Sequence, residues 1–214
     1  MIRTVIVEDN LFMQNHIVSL LEDDGRFQIE AVLKDAFEAE SVCRSLDADL
    51  VLMDVQTQHN HSGLASGKRI LEEHPGIRVV VITSLIDPEV LAKARQGCAS
   101  SLWYKDYGDS GLISVIVRTM EGENIFPDSA PNAELKDMYT AEISPRQLQI
   151  LRMYVEGKTY DEIASELKIT RSGVRWNLEQ IVEKGGFENK HQMLAAVIEK
   201  KLVVTTLRDD AEDI

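Results

Sequence analysis

Cysteine is nearly absent: the 214 residues contain only Cys43 and Cys98, too few and too far apart for a disulfide framework or a cysteine-based metal site. Both thiols are expected to be buried, reduced and inert. No apolar run approaches the roughly 18 residues that a membrane span needs. Residues 1–9 have no basic lead-in, no long apolar stretch and no small-residue cleavage site. No signal peptide is therefore expected, and a cytoplasmic location without a membrane partner is. Prolines number five, aromatic residues make up 6%, and the 23 basic residues fall well short of the 36 acidic ones, leaving a formal charge of −13. With 44% hydrophobic and 28% charged residues the chain is ordinary for a folded protein, which excludes a wholly disordered, collagen-like or coiled-coil chain. Its length suits two domains of about 100 residues each.

The acidity is uneven. Residues 1–122 carry 11 basic and 19 acidic groups, 123–142 carry 1 and 5, 143–203 carry 10 and 8, and 204–214 carry 1 and 4. Only 143–203 is net positive, so a nucleic-acid contact is expected there if the chain makes one.

Residues 1–122 alternate short β-branched runs, at 4–7, 28–33, 50–53, 79–82 and 102–104, with amphipathic stretches at 11–21, 36–46, 64–72, 88–96 and 111–121. Strands that read as continuous apolar runs between helices of about ten residues predict a parallel sheet covered on both faces. Five such units imply an α/β, doubly wound (βα)5 domain of flavodoxin-like type, whose functional crevice lies at the carboxyl ends of the strands. Residues 123–142 hold two of the five prolines and lack sustained periodicity, which reads as a linker. From 143 the pattern turns helical. Ser144-Pro145-Arg146-Gln147 and Thr159-Tyr160-Asp161-Glu162 are capping boxes, Asn189 has a similar setting and Thr170 is a further cap. A small all-α domain over 143–203 follows, with helices near 145–156, 160–167, 171–184 and 190–201. Residues 204–214 read as a frayed acidic tail.

Chemistry-bearing residues stand at the ends of the strand runs: Glu8 and Asp9, Asp54, Thr83 and Ser84, and Lys105. Three carboxylates brought into one crevice repel one another and call for a cation, and an all-oxygen set suits Mg²⁺ (or Mn²⁺). With the metal present, Asp54 is a candidate carboxylate nucleophile towards phosphorus. Lys105 would offset charge on the transferred group and the Thr83 hydroxyl would hydrogen-bond one of its oxygens.

In this order, strand position and spacing, Glu8-Asp9, Asp54, Thr83 and Lys105 give residues 1–122 a clear resemblance to the receiver domain of two-component response regulators. The resemblance implies that Asp54 accepts phosphate from a sensor histidine kinase and that the backbone carbonyl of Gln56 joins the metal ligands. It also implies that Thr83 moves towards the phosphate and repacks the segment 87–96. The chain departs from the family in a 55–63 loop that looks one residue longer, and in Leu102, which replaces the usual aromatic switch residue. His59 and His61 in that loop read as exposed bystanders rather than as a metal pair at i and i+2. Trp103 and Tyr104 read as packing or interface residues.

In the helical block, helices of about eight and fourteen residues joined by a tight turn fit a helix-turn-helix. Val174, Leu178 and Ile181 face a core, leaving Arg171, Ser172, Arg175, Trp176 and Glu179 outside. Arg171 and Arg175, one turn apart, are spaced to reach phosphates or guanine edges. Asn177, Lys184 and Lys190 are candidate phosphate contacts. The alternative is a solvated face on which the arginines pair with Glu179. The block resembles the LuxR-type output domain of the NarL/FixJ subfamily through residues 143–147, 150–151, 157–164, 167–170, 174–175 and 184–186, although Gly173 and Asn177 replace a common threonine and histidine. The resemblance implies binding to promoter DNA as a double strand, and homodimerisation through the last helix, at Met193, Val197 and Ile198. Those apolar residues would equally complete the monomer's core.

The expected function is a DNA-binding transcriptional regulator switched by phosphorylation of Asp54. Turnover of an external substrate is not expected, though the chain would be able to dephosphorylate itself. A Mg²⁺-dependent phosphatase would need a second acid/base carboxylate two residues after Asp54, where Gln56 stands. The remaining alternative is an atypical receiver that dimerises and binds DNA without phosphate.

Overall fold

The computed structural model describes residues 1–105 and 109–204, with the side chains of 109 and 110 left aside. The chain divides into two compact units, one of Met1–Ser84 and Pro88–Ser129, the other of Leu85–Asp87 with the described residues from Ala130 onward.

In the first unit, β1 (Ile2–Val7), β2 (Phe27–Leu33), β3 (Leu50–Met53), β4 (Arg78–Thr83) and β5 (Ser101–Tyr104) form a parallel sheet in the order β2-β1-β3-β4-β5. The connecting helices are α1 (Leu11–Asp24), α2 (Ala39–Ser45), α3 (Gly63–Glu73), α4 (Pro88–Lys93) and α5 (Asp109–Met120). Successive side chains of a strand point to opposite faces, so a sheet covered on both sides needs apolar residues at every position. Val5, Val7, Val51, Met53 and Val79 pack with Ala39, Cys43 and Ile70 from α2 and α3. The intervening Ile6, Leu50, Leu52, Val80 and Ile82 pack with Ile17, Leu21, Leu112 and Ile116 from α1 and α5. The doubly wound fold is as expected.

Helix ends follow local chemistry. Asn10 caps α1, its side chain accepting from the Met13 N–H at 3.1 Å, and Gly25 closes it in the left-handed region at φ 75°. Ser62 caps α3 by accepting from the Ala65 N–H at 3.2 Å. The segment expected as one helix over 88–96 instead ends at Lys93 and passes into a π turn, Ala94–Cys98, which Gly97 interrupts at φ 106°. Cys43 is wholly buried, which pushes its thiol up to about 12 and makes it inert, whereas Cys98 is half-buried.

The second unit holds α6 (Pro145–Val155), α7 (Tyr160–Leu167), α8 (Arg171–Lys184) and α9 (Lys190–Glu199). Both anticipated capping boxes form: Ser144 with Gln147 and Thr159 with Glu162. Thr170 and Asn189 cap α8 and α9. Between α7 and α8 the chain turns through Lys168 in the left-handed region, φ 53°. Val174, Leu178 and Ile181 of α8 meet Ile150, Leu151 and Ile163 in the core. One expectation is corrected here. The stretch read as linker, 123–142, contains a hairpin of β6 (Glu134–Leu135) and β7 (Met138–Tyr139), followed by a 3₁₀ turn at Thr140–Glu142. Leu135 and Met138 are buried in the helical core, so this part of the segment belongs to the domain. Of the expected tail, 205–214 lies outside the described residues.

Candidate functional site

The registers Val7↔Met53, Met53↔Val81 and Thr83↔Tyr104 bring the carboxyl ends of β1, β3, β4 and β5 to one edge of the sheet. Glu8, Asp9, Asp54, Thr83 and Lys105 therefore converge although up to 97 positions separate them. Backbone bonds fix the two central carboxylates: the Glu8 N–H donates to the Leu33 carbonyl and the Asp54 N–H to the Val7 carbonyl, each at 2.9 Å. Glu8, Asp54 and Thr83 are buried and Asp9 is exposed. Carboxylate oxygens of Glu8, Asp9 and Asp54 all lie within 4.8 Å of one another.

Lys105 Nζ donates to Glu8 Oε2 at 2.6 Å and to Asp54 Oδ2 at 2.7 Å, so one ammonium serves two buried carboxylates. Asp54 Oδ1 accepts from the Val55 N–H at 2.7 Å. Burial is the main force on the Asp54 carboxyl. Lys105 opposes it and the nearby Glu8 charge reinforces it, and the balance pushes the group up to about 6. Burial draws Lys105 down, but Asp54 and then Glu8 outweigh it and raise the ammonium above its ordinary value. The pocket thus holds more negative than positive charge, an arrangement that favours a cation.

Several supporting groups escape a reading of strand ends alone. The Gln14 side-chain amide donates to the Glu8 carbonyl and the Asn10 N–H to Glu8 Oε1. The signal that could have found Asn10 is an asparagine directly before an apolar-periodic stretch. Gly63 opens α3 against the acceptor strand, where a Cβ would lie 1.8 Å from the Asp54 carbonyl oxygen. Gln56 pairs with Ser62 in an isolated bridge. Leu102 is buried in β5 while Trp103 is half-buried and Tyr104 buried, consistent with packing roles.

His59 is exposed as expected and His61 is half-buried, and both engage Asp35. Their Nδ1 atoms lie 2.8 and 2.7 Å from the two oxygens of Asp35, and His61 stacks on Phe37 at 5.3 Å between ring centres.

On α8, Arg171, Ser172, Arg175 and Trp176 are exposed as expected, and Lys184 with them. Arg175 Nε pairs with Glu179 at 2.7 Å, and Arg171 Nε lies 3.6 Å from Asp161. Exposed pairs of this kind are screened by solvent and contribute little. They are too weak to hold guanidinium groups back from phosphate. Two expected contacts are engaged otherwise: Asn177 Nδ2 donates to the Gly173 carbonyl at 2.8 Å, and Lys190 donates to the Tyr160 hydroxyl at 2.6 Å while lying over its ring. The expectation for α9 is also corrected. Met193 and Val197 are fully buried in the domain's own core and cannot face a second copy, whereas Ile198 is 56% exposed. An i, i+4 apolar stripe does not say which partner covers it.

Two family models match the chain. The response regulator receiver domain matches residues 4–117, over half its length, and the bacterial regulatory proteins of the luxR family match residues 141–197. The oxygen regulatory protein NreC of Staphylococcus aureus strain MRSA252 is 22% identical over 214 residues, covering 94% of this chain and 99% of NreC. The response regulator protein VraR of Staphylococcus epidermidis is 24% identical over 211 residues, with 94% and 99% covered. Among solved structures, two RcsB dimers bound to two parallel DNAs give a TM-score of 0.62 at 19% identity, covering 92% of this chain and 98% of that one. RcsB from Salmonella enterica serovar Typhimurium, bound to promoter rprA in the presence of phosphomimetic BeF3-, gives 0.61 at 20% identity with the same coverage.

Proposed function

The chain belongs to the response regulators that join a receiver domain to a LuxR-type DNA-binding domain, and from that membership we propose that phosphorylation of Asp54 by a sensor histidine kinase switches its DNA binding. The observation that carries this reading is the Lys105 ammonium held between Glu8 and Asp54 at the carboxyl edge of the parallel sheet.

An Asp54 carboxylate oxygen forms the new bond to phosphorus as the donor's phosphorus–nitrogen bond breaks and the imidazole leaves. With its carboxyl at about 6, Asp54 is mostly ionised at neutral pH and competent as nucleophile. Val55 N–H and Lys105 fix the carboxylate's orientation beforehand. As charge moves onto the phosphoryl group, Lys105 follows it and the Thr83 hydroxyl, at the end of β4, donates to one of its oxygens. Glu8, Asp9 and Asp54, with the Gln56 carbonyl, are the residues to hold Mg²⁺ or Mn²⁺: their hard oxygen donors and surplus negative charge fit such an ion. When bound, the metal supplies positive charge against the phosphoryl oxygens. No external substrate is turned over, since Gln56 stands where a second acid/base carboxylate would act, and phosphate is lost by hydrolysis of the chain's own aspartyl phosphate.

The receiver's change of packing then shifts the population towards a DNA-binding homodimer. With Met193 and Val197 committed to the core, we assign pairing of two copies to the outer face of α9 around Ile198. We infer a cytoplasmic location from action on promoter DNA. Separately, no helix among the described residues is long and apolar enough to cross a membrane.

The test is intact mass and light scattering after incubation with Mg²⁺ and acetyl phosphate. We expect one phosphate per chain and a shift to dimer, both absent in Asp54→Ala. An Asp54→Ala protein that is already a DNA-binding dimer would instead establish the phosphate-independent alternative. For the DNA contact, Arg171→Ala and Arg175→Ala are each expected to weaken binding about tenfold and to lower the slope of log affinity against log salt by about one. Anisotropy on a mixed-sequence duplex at several salt concentrations measures both, and an unchanged slope in the double variant would remove α8 from the interface.

A further inference from the structure

We propose that Asp35, His59 and His61 form a second metal site, selective for a divalent first-row transition ion such as Zn²⁺, on the loops beside the acidic pocket. The three residues each offer one ligand atom, all within 4.8 Å of one another. Asp35 directs one oxygen at each imidazole, Oδ2 at His59 Nδ1 and Oδ1 at His61 Nδ1. Two imidazole nitrogens and a carboxylate are borderline donors that suit Zn²⁺, Ni²⁺ and Cu²⁺, in contrast to the all-oxygen set of Glu8, Asp9 and Asp54. This inference is independent of phosphoryl transfer.

The local backbone is built to bring these groups together. His59 and Asn60 both adopt left-handed conformations, at φ 59° and 64°, which carries the chain through a tight turn and presents His59 and His61 to the same carboxylate. The two loops are already laced: the Gln58 N–H donates to the Lys34 carbonyl at 3.0 Å and the Ala36 N–H to Thr57 Oγ1 at 3.0 Å. Phe37 stacks on His61 and fixes its ring plane. The Asp35 side chain is 14% exposed and that of His61 19%, while that of His59 is 65% exposed and open to solvent. The Phe37 N–H donates to Asp35 Oδ1 at 3.0 Å and holds the carboxylate in place between the two rings.

The proton balance is simple. A ring nitrogen that donates to Asp35 must give up its proton before it can bind a metal: from a neutral ring that proton moves to Nε2, and from a charged ring one proton passes to solvent. Seating an ion at about 2.0–2.2 Å from each ligand requires ligand separations near 3.3 Å, so each nitrogen–oxygen gap must open by about half an ångström. The exposed His59 ring provides that freedom. Three protein ligands leave a position for water, the pattern of an open site.

The full-length protein is titrated with Zn²⁺ against a chromophoric chelator, and with Co²⁺ followed by visible absorption, both in excess Mg²⁺ to occupy the acidic pocket. One equivalent is expected to bind and to raise Tm. His59→Gln and His61→Gln should each weaken Zn²⁺ at least tenfold and abolish the Tm rise, while Glu8→Gln leaves the affinity unchanged. If His61→Gln does not fold, the exposed His59→Gln alone decides. Binding that survives His59→Gln undiminished, binding that is lost in Glu8→Gln, or no stoichiometric binding in the unmodified protein would each overturn the proposal.

Discussion

Lys105→Met is expected to destabilise the metal-free protein by about 3–5 kcal/mol, the scale on which removing one partner strands a buried charge. The lysine side chain is only 9% exposed and lies at hydrogen-bond distance from two carboxylates, so no water replaces it cheaply. Asp54→Asn should move stability the other way. The folded protein holds the Asp54 carboxyl at about 6, above the ordinary aspartate value of 3.8, which means that its ionised form is disfavoured by folding. Well below pH 3.8 the carboxyl is protonated in both states and there is no effect. Between about pH 4 and 6 the native state binds more proton than the unfolded one, so stability falls as pH rises, and above pH 6 the full cost remains. Removing the charge should therefore stabilise the protein at pH 7 by about 1–3 kcal/mol and abolish that slope. Urea denaturation of the three proteins between pH 4 and 8 in chelator measures both signs. A Lys105→Met protein as stable as the parent would mean that the ion pairs seen here do not hold in solution. The opposite signs express one design: the acceptor is kept charged, at a cost to stability, where a cation and a phosphoryl group are to be received.

How much of this was legible depended on whether the deciding interaction was local. The strands were legible because a sheet buried on both faces demands β-branched runs such as Val79 to Ile82 without alternation. The helix starts were legible because a cap and its N3 partner, Ser144 with Gln147 or Thr159 with Glu162, are three residues apart. The acidic pocket followed once the topology placed strand ends together. The hairpin at 134–139 was not legible: its strands have two residues each, too few to show a period, and its turn runs through a left-handed lysine, Lys136, where glycine or asparagine would have given a signal. The Asp35 clasp joins residues 24 and 26 positions apart on two different loops, beyond any spacing rule. On α9 the stripe itself was visible, but burial of Met193 and Val197 beside exposure of Ile198 depends on how the other three helices pack.

Gly63→Ala is expected to cost about 3 kcal/mol, the upper part of the range for overpacking, and to slow phosphate uptake at Asp54. The reason is a close approach and not a special dihedral. An added Cβ would stand 1.8 Å from the Asp54 carbonyl oxygen and 2.9 Å from both its carbonyl carbon and Met53 Cγ. The first obstacle is backbone, which cannot swing aside as a side-chain tip does. That backbone is pinned on both sides: the Asp54 N–H is bonded to the Val7 carbonyl, and the Gly63 N–H donates to the Val55 carbonyl at 2.9 Å. Relief must therefore come from displacing either the start of α3 or the acceptor itself, and the latter moves the Asp54 carboxylate relative to Lys105. Gly76→Ala is the matched control: the same methyl group there meets nothing within 4 Å, and Gly76 needs no positive φ. Its expected effect is a gain of about 0.4–1 kcal/mol through the unfolded chain. Thermal melts and the rate of labelling by acetyl phosphate separate the outcomes. A loss of stability with unchanged labelling would place the displacement in α3 alone. A Gly63→Ala protein as stable as Gly76→Ala would show that the helix does not abut the acceptor strand.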